Sequence, residues 1–227
     1  MKLQKSVALI TGITGMVGSH LMDYLLENTD WDIVGLCRWR SPLDNIFHAL
    51  DQVSNGRLDL QYGDLNDDSS LRKVVDKVRP DYVFHLAAQS FPRTSFDAPV
   101  DTFNTNICGT ERFLSAIRDF APEALIHVCS SSEVFGRVPK EKLPIDEYCS
   151  FHPASPYAIP KVGTDLVGRY YAEAFNLNVM VTRMFTHTGP RRGDVFAEST
   201  FAKQIAMVEA GLTDPVVYTG NLDSLRT

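Results

Sequence analysis

Six apolar runs recur along this chain, most of them followed by a stretch of helical spacing, and this alternation restricts the possible folds more than any other feature. The runs are "SVALIT" (6–11), "DIVGLC" (32–37), "LDLQYG" (58–63), "DYVFHLAA" (81–88), "ALIHVCS" (124–130) and "NVMVTRMF" (178–185). Helical stretches fall near 17–28, 67–78, 99–119 and 156–175. A strand that is apolar throughout expects cover on both faces, and strands separated by helices are joined by crossovers. The pattern therefore predicts an α/β fold built on a doubly wound parallel sheet with right-handed crossovers. From Phe185 the pattern loosens into Pro, Gly and Arg. One helical stretch follows near 196–210, then "PVVYTGNLDSLRT", a polar ending that closes no element and reads as truncated. The expected organisation is one domain over 1–185 and the start of a smaller part over 186–227.

Composition excludes several classes. The 227 residues are 44% hydrophobic with charges of both signs interspersed, which suits a globular chain. A formal charge of -6 argues against nucleic acid and anionic membrane as partners, since phosphate binding needs a basic surface. The one local basic cluster is "RRG" at 191–193. No run approaches the ~20 apolar residues of a membrane span. The opening "MKLQKSVALITG" imitates a signal peptide, but its apolar run is short and broken by Gly12 and Gly15. Cys37, Cys108, Cys129 and Cys149 are scattered without a CxxC pair, so no metal site and no disulfide framework is expected. They read as buried reduced thiols of a cytoplasmic protein.

"ITGITGMVGS" (10–19) places three glycines at a spacing of three, where the first strand ends and a helix begins. A chain that turns there, admits a dinucleotide diphosphate to its backbone and packs the helix on the strand needs side chains out of the way at each step. Gly12, Gly15 and Gly18 serve turn, phosphate approach and packing, and the helix starting near Met16 offers unpaired N–H groups to the anion. No Lys-Ser/Thr follows, which argues against a triphosphate-hydrolysing loop. After the second strand the sequence reads "CRWRSP", with no acidic residue for a ribose 2'-hydroxyl. Arg38 and Arg40 there suit a 2'-phosphate, the other reading being a solvated basic loop. Asp64 in "GDL" suits the adenine amino group or a plain turn.

"SPYAIPKVG" sets Tyr157 and Lys161 four apart, on one face of a helix. A nearby ammonium favours an ionised phenol, which would make Tyr157 a usable base. "CSSSEVFG" (129–136) follows the fifth strand at the carboxyl edge, where ligands of such sheets gather, and supplies hydroxyls and the carboxylate of Glu133. A serine run after a strand is otherwise an ordinary turn. The stripe Val100, Phe103, Ile107, Phe113, Leu114 and Ile117 reads as core.

Together these residues resemble the extended short-chain dehydrogenase/reductases, and within them the GDP-mannose 4,6-dehydratases. The likeness runs through "GITGMVGSHL", "GDLNDDSSL", "LAAQSFPRTSFDAP", "SSSEVFG", "SPYAIPK", "HTGPRRG" and "GNLDSLR". It implies a Rossmann fold and an NADP-dependent nucleotide-sugar dehydratase, with GDP-mannose as substrate. By resemblance, Ser131 stands where these enzymes carry a catalytic threonine, Glu133 where they carry the elimination base, and Tyr157 and Lys161 where they carry the redox pair. Cofactor contacts carried over likewise fall at Gly12, Ile13, Thr14, Gly15, Met16, Val17, Arg38, Asp64, Leu65, Leu86, Ala87, Ala88, Gln89, Ser90, Lys161, His187 and Arg192. Substrate contacts fall at Ser90, Ser132 and Thr186. Arg192 and its neighbour have a second reading, at a subunit contact or the sugar nucleotide's diphosphate. The family also implies a homodimer or homotetramer.

Two positions depart from the pattern. Thr186 stands where asparagine is usual, and Asp101 where tyrosine is usual. Pro160 within the catalytic helix requires that helix to begin close to Pro156. "FTHTGP" and "FAKQIAMVEAGL" equally resemble the companion reductase of GDP-4-keto-6-deoxymannose. A module that senses NADP without turnover is a third reading, against which the full set Ser131, Glu133, Tyr157 and Lys161 argues.

Overall fold

The computed structural model describes residues 5–223. Met1–Gln4 and Ser224–Thr227, which include the end of the "GNLDSLR" motif, lie outside the described residues. Six strands, β1 (Val7–Thr11), β2 (Asp32–Cys37), β3 (Leu58–Tyr62), β4 (Tyr82–His85), β5 (Leu125–Cys129) and β6 (Asn178–Thr182), form one sheet. Its order is β3-β2-β1-β4-β5-β6, parallel at every pairing. The predicted α/β doubly wound sheet is therefore observed. Its order reverses between β1 and β4, which opens a crevice at their carboxyl ends, where ligands of this architecture bind.

Successive residues of β1 face opposite sides of the sheet. Leu9 enters a core with Leu71, Phe113, Leu114 and Ile117, while Ala8 and Ile10 enter a second with Met22, Leu25 and Ile46. The first core lies under α3 (Asp68–Val78), α6 (Gly109–Phe120) and α7 (Ala158–Phe175), and the second under α1 (Met16–Asn28). α3 begins where Asp67 accepts the Ser69 N–H at 3.1 Å and stops where Arg79 turns left-handed at φ 47.

Four expectations need correction. Cover on both faces does not extend to the β5–β6 end, where Leu125 is 52% and Met180 60% exposed and α8 (Ala197–Glu209) has no buried residue. The single helix expected over 99–119 is three pieces: α5 (Pro99–Phe103), a π turn at Asn104–Cys108, and α6. The π turn rotates the helical face, so only Phe113, Leu114 and Ile117 of the stripe are fully buried, and Val100 is exposed. Of the cysteines only Cys37 is buried; Cys108 is exposed, and Cys129 and Cys149 are half-buried. All four are free thiols.

Short elements without a clear periodic signal complete the described residues: a 3-10 turn at Asp44–Ala49, α2 (Asp51–Ser54), α4 (Pro92–Asp97), and 3-10 turns at Ser132–Phe135 and Lys140–Lys142. α7 starts at Ala158, so Pro160 lies in its first turn, where a missing N–H breaks no helical bond. No helix among the described residues is long and apolar enough to cross a membrane.

Candidate active site and dinucleotide cleft

The turn after β1 is shaped by close approach. Gly12 has φ 74, and a Cβ there would lie 2.9 Å from the Ala87 backbone nitrogen. At Gly18 a Cβ would come within 2.3 Å of the Gly12 carbonyl oxygen, so helix and turn touch only through glycine. The first helical bond of α1 runs from Ser19 N–H to Gly15 O at 2.9 Å, which leaves the N–H groups of Met16, Val17 and Gly18 facing the crevice. α1 carries no acidic residue in its first turn. Positive potential there is uncancelled.

Three connected lobes follow. The central one, about 800 Å³, joins the glycine turn to Ser131, Tyr157, Lys161, His187 and Arg192. A second, about 520 Å³, runs past Leu86, Ala87, Ala88, Gln89 and Ser90 to Asp64, Leu65 and the exposed Arg38. The third, about 550 Å³, holds Ser90, Ser132, Glu133, Tyr157, Thr186 and Arg192. The fold thus gathers nearly every residue singled out from the sequence on one cleft. Ile13 and Arg40 are the exceptions: the Ile13 side chain is fully buried in the α1-side core, packed against Gly35, and Arg40 is exposed over the Trp39 ring, so neither lines the cleft.

These residues fit a dinucleotide. Glycines leave the turn open to a diphosphate, the helix start presents N–H donors, and Arg192 Nε is buried with no hydrogen-bond partner among the described residues. Its nearest paired carboxylate, Glu198, stands 3.9 Å away. A buried guanidinium nitrogen without an acceptor favours an anion in the cleft. The side of the cleft is set by Asn106 in the π turn, whose carboxamide accepts the Gln89 N–H at 2.8 Å and donates to the Gln89 carbonyl at 3.0 Å. Beneath it, Thr11 Oγ1 takes the N–H groups of Leu86 and Ala87 and lies 3.0 Å from His85 Nδ1. Burial, with the nearby charges of Lys161 and His127, lowers His85 to about 3, so this ring is neutral.

At the chemical end, Ser131 caps the 3-10 turn at Ser132–Phe135 and accepts the Glu133 N–H at 3.2 Å. Glu133 Oε2 receives a hydrogen bond from Ser155 Oγ at 3.4 Å. Ser155 also accepts the Ala158 N–H at 3.0 Å, so one hydroxyl both caps α7 and holds the carboxylate. Tyr157 is the residue before α7 and shares the cleft with Glu133. The expected lowering of the phenol by Lys161 is absent. Burial pushes Tyr157 up to about 12, with the Glu133 charge adding to it and the Ser131 hydroxyl opposing it. Lys161 instead donates from Nζ to the Cys129 carbonyl at 2.8 Å, and its burial lowers the ammonium.

Sequence reading passed over Ser155, Asn106 and Asn45, because each acts on a group distant in the chain: Ser155 on the Glu133 carboxylate, Asn106 and Asn45 on backbone groups. Ser155 stands two residues before Tyr157, a position typical of a helix cap, and that was the available signal.

Comparisons with known proteins show the family. The family profile described as GDP-mannose 4,6 dehydratase matches residues 9–227. The GDP-mannose 4,6-dehydratase of Yersinia enterocolitica serotype O:8 is 36% identical over 226 residues, 96% of this chain and 59% of that protein. The Homo sapiens GDP-mannose 4,6 dehydratase is 32% identical over 229 residues, 98% of this chain and 60% of that protein. Among solved structures, a dTDP-glucose 4,6-dehydratase of Streptomyces venezuelae with NAD bound superposes with a TM-score of 0.79 at 27% identity, covering 90% of this chain and 62% of that one. The enzyme RMD of Pseudomonas aeruginosa, complexed with NADPH, does so with a TM-score of 0.74 at 28% identity, covering 92% and 64%. The chain spans about 60% of the length of these curated relatives. With a profile matched over almost all of it and relatives this similar, the chain belongs to the GDP-mannose 4,6-dehydratase family of extended short-chain dehydrogenase/reductases.

Proposed function

We propose that this chain carries the cofactor cleft and catalytic groups of a nucleotide-sugar 4,6-dehydratase that converts GDP-mannose to its 4-keto-6-deoxy product with NADP. The observation that carries the reading is the pairing of Glu133 with Tyr157 on one cleft, close enough for the carboxylate charge to raise the phenol. A simple oxidoreductase needs only the phenol; an elimination needs a second base beside it. Residues 1–185 are proposed as the NADP-binding and catalytic domain and 186–227 as the start of the sugar-nucleotide part. A homodimer or homotetramer in the cytoplasm is proposed on the family likeness.

Arg38, exposed at the far lobe, supports a 2'-phosphate and hence NADP. The glycine turn, Arg192 and the Leu86–Ser90 wall would hold the rest of the dinucleotide. When bound, the oxidised nicotinamide supplies the hydride acceptor and later donor, and one positive charge within the cleft. Tyr157, once ionised, receives the proton of the sugar's 4-hydroxyl at Oη, and Ser131 donates a hydrogen bond to the same sugar oxygen. With a ketone at C4 the C5–H becomes acidic; Glu133 takes that proton and passes it to the C6 hydroxyl, which leaves as water, and Tyr157 gives the proton it took to C5 as C6 is reduced by the returning hydride, so that both residues end as they began. Lys161, fastened to the end of β5, anchors the start of α7 and so the position of Tyr157.

Incubating the protein with GDP-mannose and a catalytic amount of NADP+ tests this. Proton NMR is expected to show a C6 methyl signal with no net accumulation of NADPH. Untouched GDP-mannose, with a 4-keto sugar consuming stoichiometric NADPH, would assign the chain to reduction instead.

A further inference from the structure

After β6 the chain crosses the cleft, and residues 186–194 carry His187 and Arg192 to its edge. This segment is tied to the other end of the sheet. Asn45 Nδ2 donates both to the Thr14 carbonyl of the glycine turn, at 2.9 Å, and to the Arg191 carbonyl, at 3.0 Å. The Arg191 guanidinium forms an ion pair with Asp23 on α1 at 2.6 Å, and the other Asp23 oxygen lies 2.8 Å from His48 Nε2. His20 Nε2 stands 3.2 Å from the Pro190 carbonyl.

Arg191 itself has φ 68, a left-handed conformation that is disfavoured for a residue with a side chain. Its backbone is held there by these contacts against its own preference. Arg191 and Asn45 line the central lobe, whereas Asp23 and His48 line none of the three, so Asp23 is the member of the ion pair that acts on the segment without reaching a ligand.

We propose that Asn45 and Asp23 are positioning residues: together they clasp the 186–194 segment onto the glycine turn, and thereby set how long a dinucleotide stays in the cleft. The nature of the ligand rests on the function proposed above; the clasp rests on the contacts alone. Slow release suits a cycle in which the cofactor ends as it began, because no exchange is needed between turnovers. One amide nitrogen bridging the phosphate turn and the segment couples the two walls of the same cavity.

The test uses Asp23→Asn, Arg191→Gln, the double variant and Asn45→Leu, each checked by circular dichroism and urea midpoint. Trypsin cleavage after Arg192, a bond present in every variant, is followed without ligand. The clasp predicts cleavage accelerated by roughly 10-fold in each single variant, the size expected from losing an ion pair or bridging hydrogen bond of about 1.4 kcal/mol, with midpoints little changed. The double variant is expected to cleave no faster than either parent, since both remove the same interaction. NADPH displacement by excess NADP+, read by fluorescence, is expected to be faster by a similar factor in Asp23→Asn. Cleavage at the wild-type rate, or effects of Asp23→Asn and Arg191→Gln that add, would overturn the clasp. Unchanged NADPH release despite faster cleavage would overturn its role in residence. A wild-type protein that binds neither NADPH nor NADH overturns the reading of the cleft, a failure that the proteolysis of the free protein does not share.

Discussion

Lys161 Nζ donates to the Cys129 carbonyl oxygen at 2.8 Å, so the ammonium is engaged by the end of β5 and not by the Tyr157 phenol four residues earlier. Helical spacing brings the two onto one cleft, but burial decides the charge. A phenol pushed up to about 12 is neutral at ordinary pH, and a base must be ionised.

Because burial and the Glu133 charge both favour the neutral phenol, removing that charge or adding a positive one should favour the ionised form. Ultraviolet titration of wild type minus Tyr157→Phe is expected to place tyrosinate formation near 12 in the free protein. The transition should move to lower pH in Glu133→Gln and on addition of NADP+. A transition unmoved by either would separate Tyr157 from both.

His85 predicts an acid dependence. Its folded value of about 3 lies below the unfolded value of 6.5, so the unfolded chain binds more protons between those limits. The contribution is fully present above pH 6.5 and is lost as pH falls toward 3, with a slope of up to about 1.4 kcal/mol per unit. Urea unfolding across that range should show a shallower loss in His85→Gln than in wild type. Equal slopes would mean that the ring is not buried neutral.

Gly18→Ala would force a Cβ against the Gly12 carbonyl and the Ile13 Cα, both backbone atoms that cannot swing aside. A loss of about 1–3 kcal/mol is expected by urea unfolding, with weaker dinucleotide binding. Gly189→Ala, where a Cβ meets nothing within 4 Å, should leave stability unchanged. Similar losses in both would remove close packing as the reason for the third glycine.

Arg38→Ala should weaken NADPH by roughly 10- to 100-fold, the loss of a charge-assisted phosphate contact of about 1.5–3 kcal/mol, and leave NADH nearly unaffected. Fluorescence titration with both nucleotides distinguishes this from a general loss. Equal weakening of the two would place Arg38 away from a 2'-phosphate.

Ser155→Ala removes both the cap of α7 and the hydroxyl on Glu133. About 1 kcal/mol of stability should go, with a fall in dehydration rate that Ser155→Thr restores. Full turnover in Ser155→Ala would show that the carboxylate needs no such support.

Alternating apolar runs and helical stretches determined the parallel sheet, because burial on a pleated layer and crossover by helices each leave their own period in the sequence. The glycine turn, the Tyr157–Lys161 pair and the Ser131–Glu133 segment were legible for a related reason: each is a local requirement of a turn, a helix face or a strand end. Tertiary structure alone decided which wall Asn106 and Asn45 build, where the Lys161 ammonium goes, and which way the Tyr157 proton is biased. Those depend on partners up to 146 positions away and on desolvation, and neither leaves a periodic trace in the chain. The π turn at Asn104–Cys108 belongs with them, since one extra residue in a helical turn is set by what the neighbouring helices and the Gln89 backbone require.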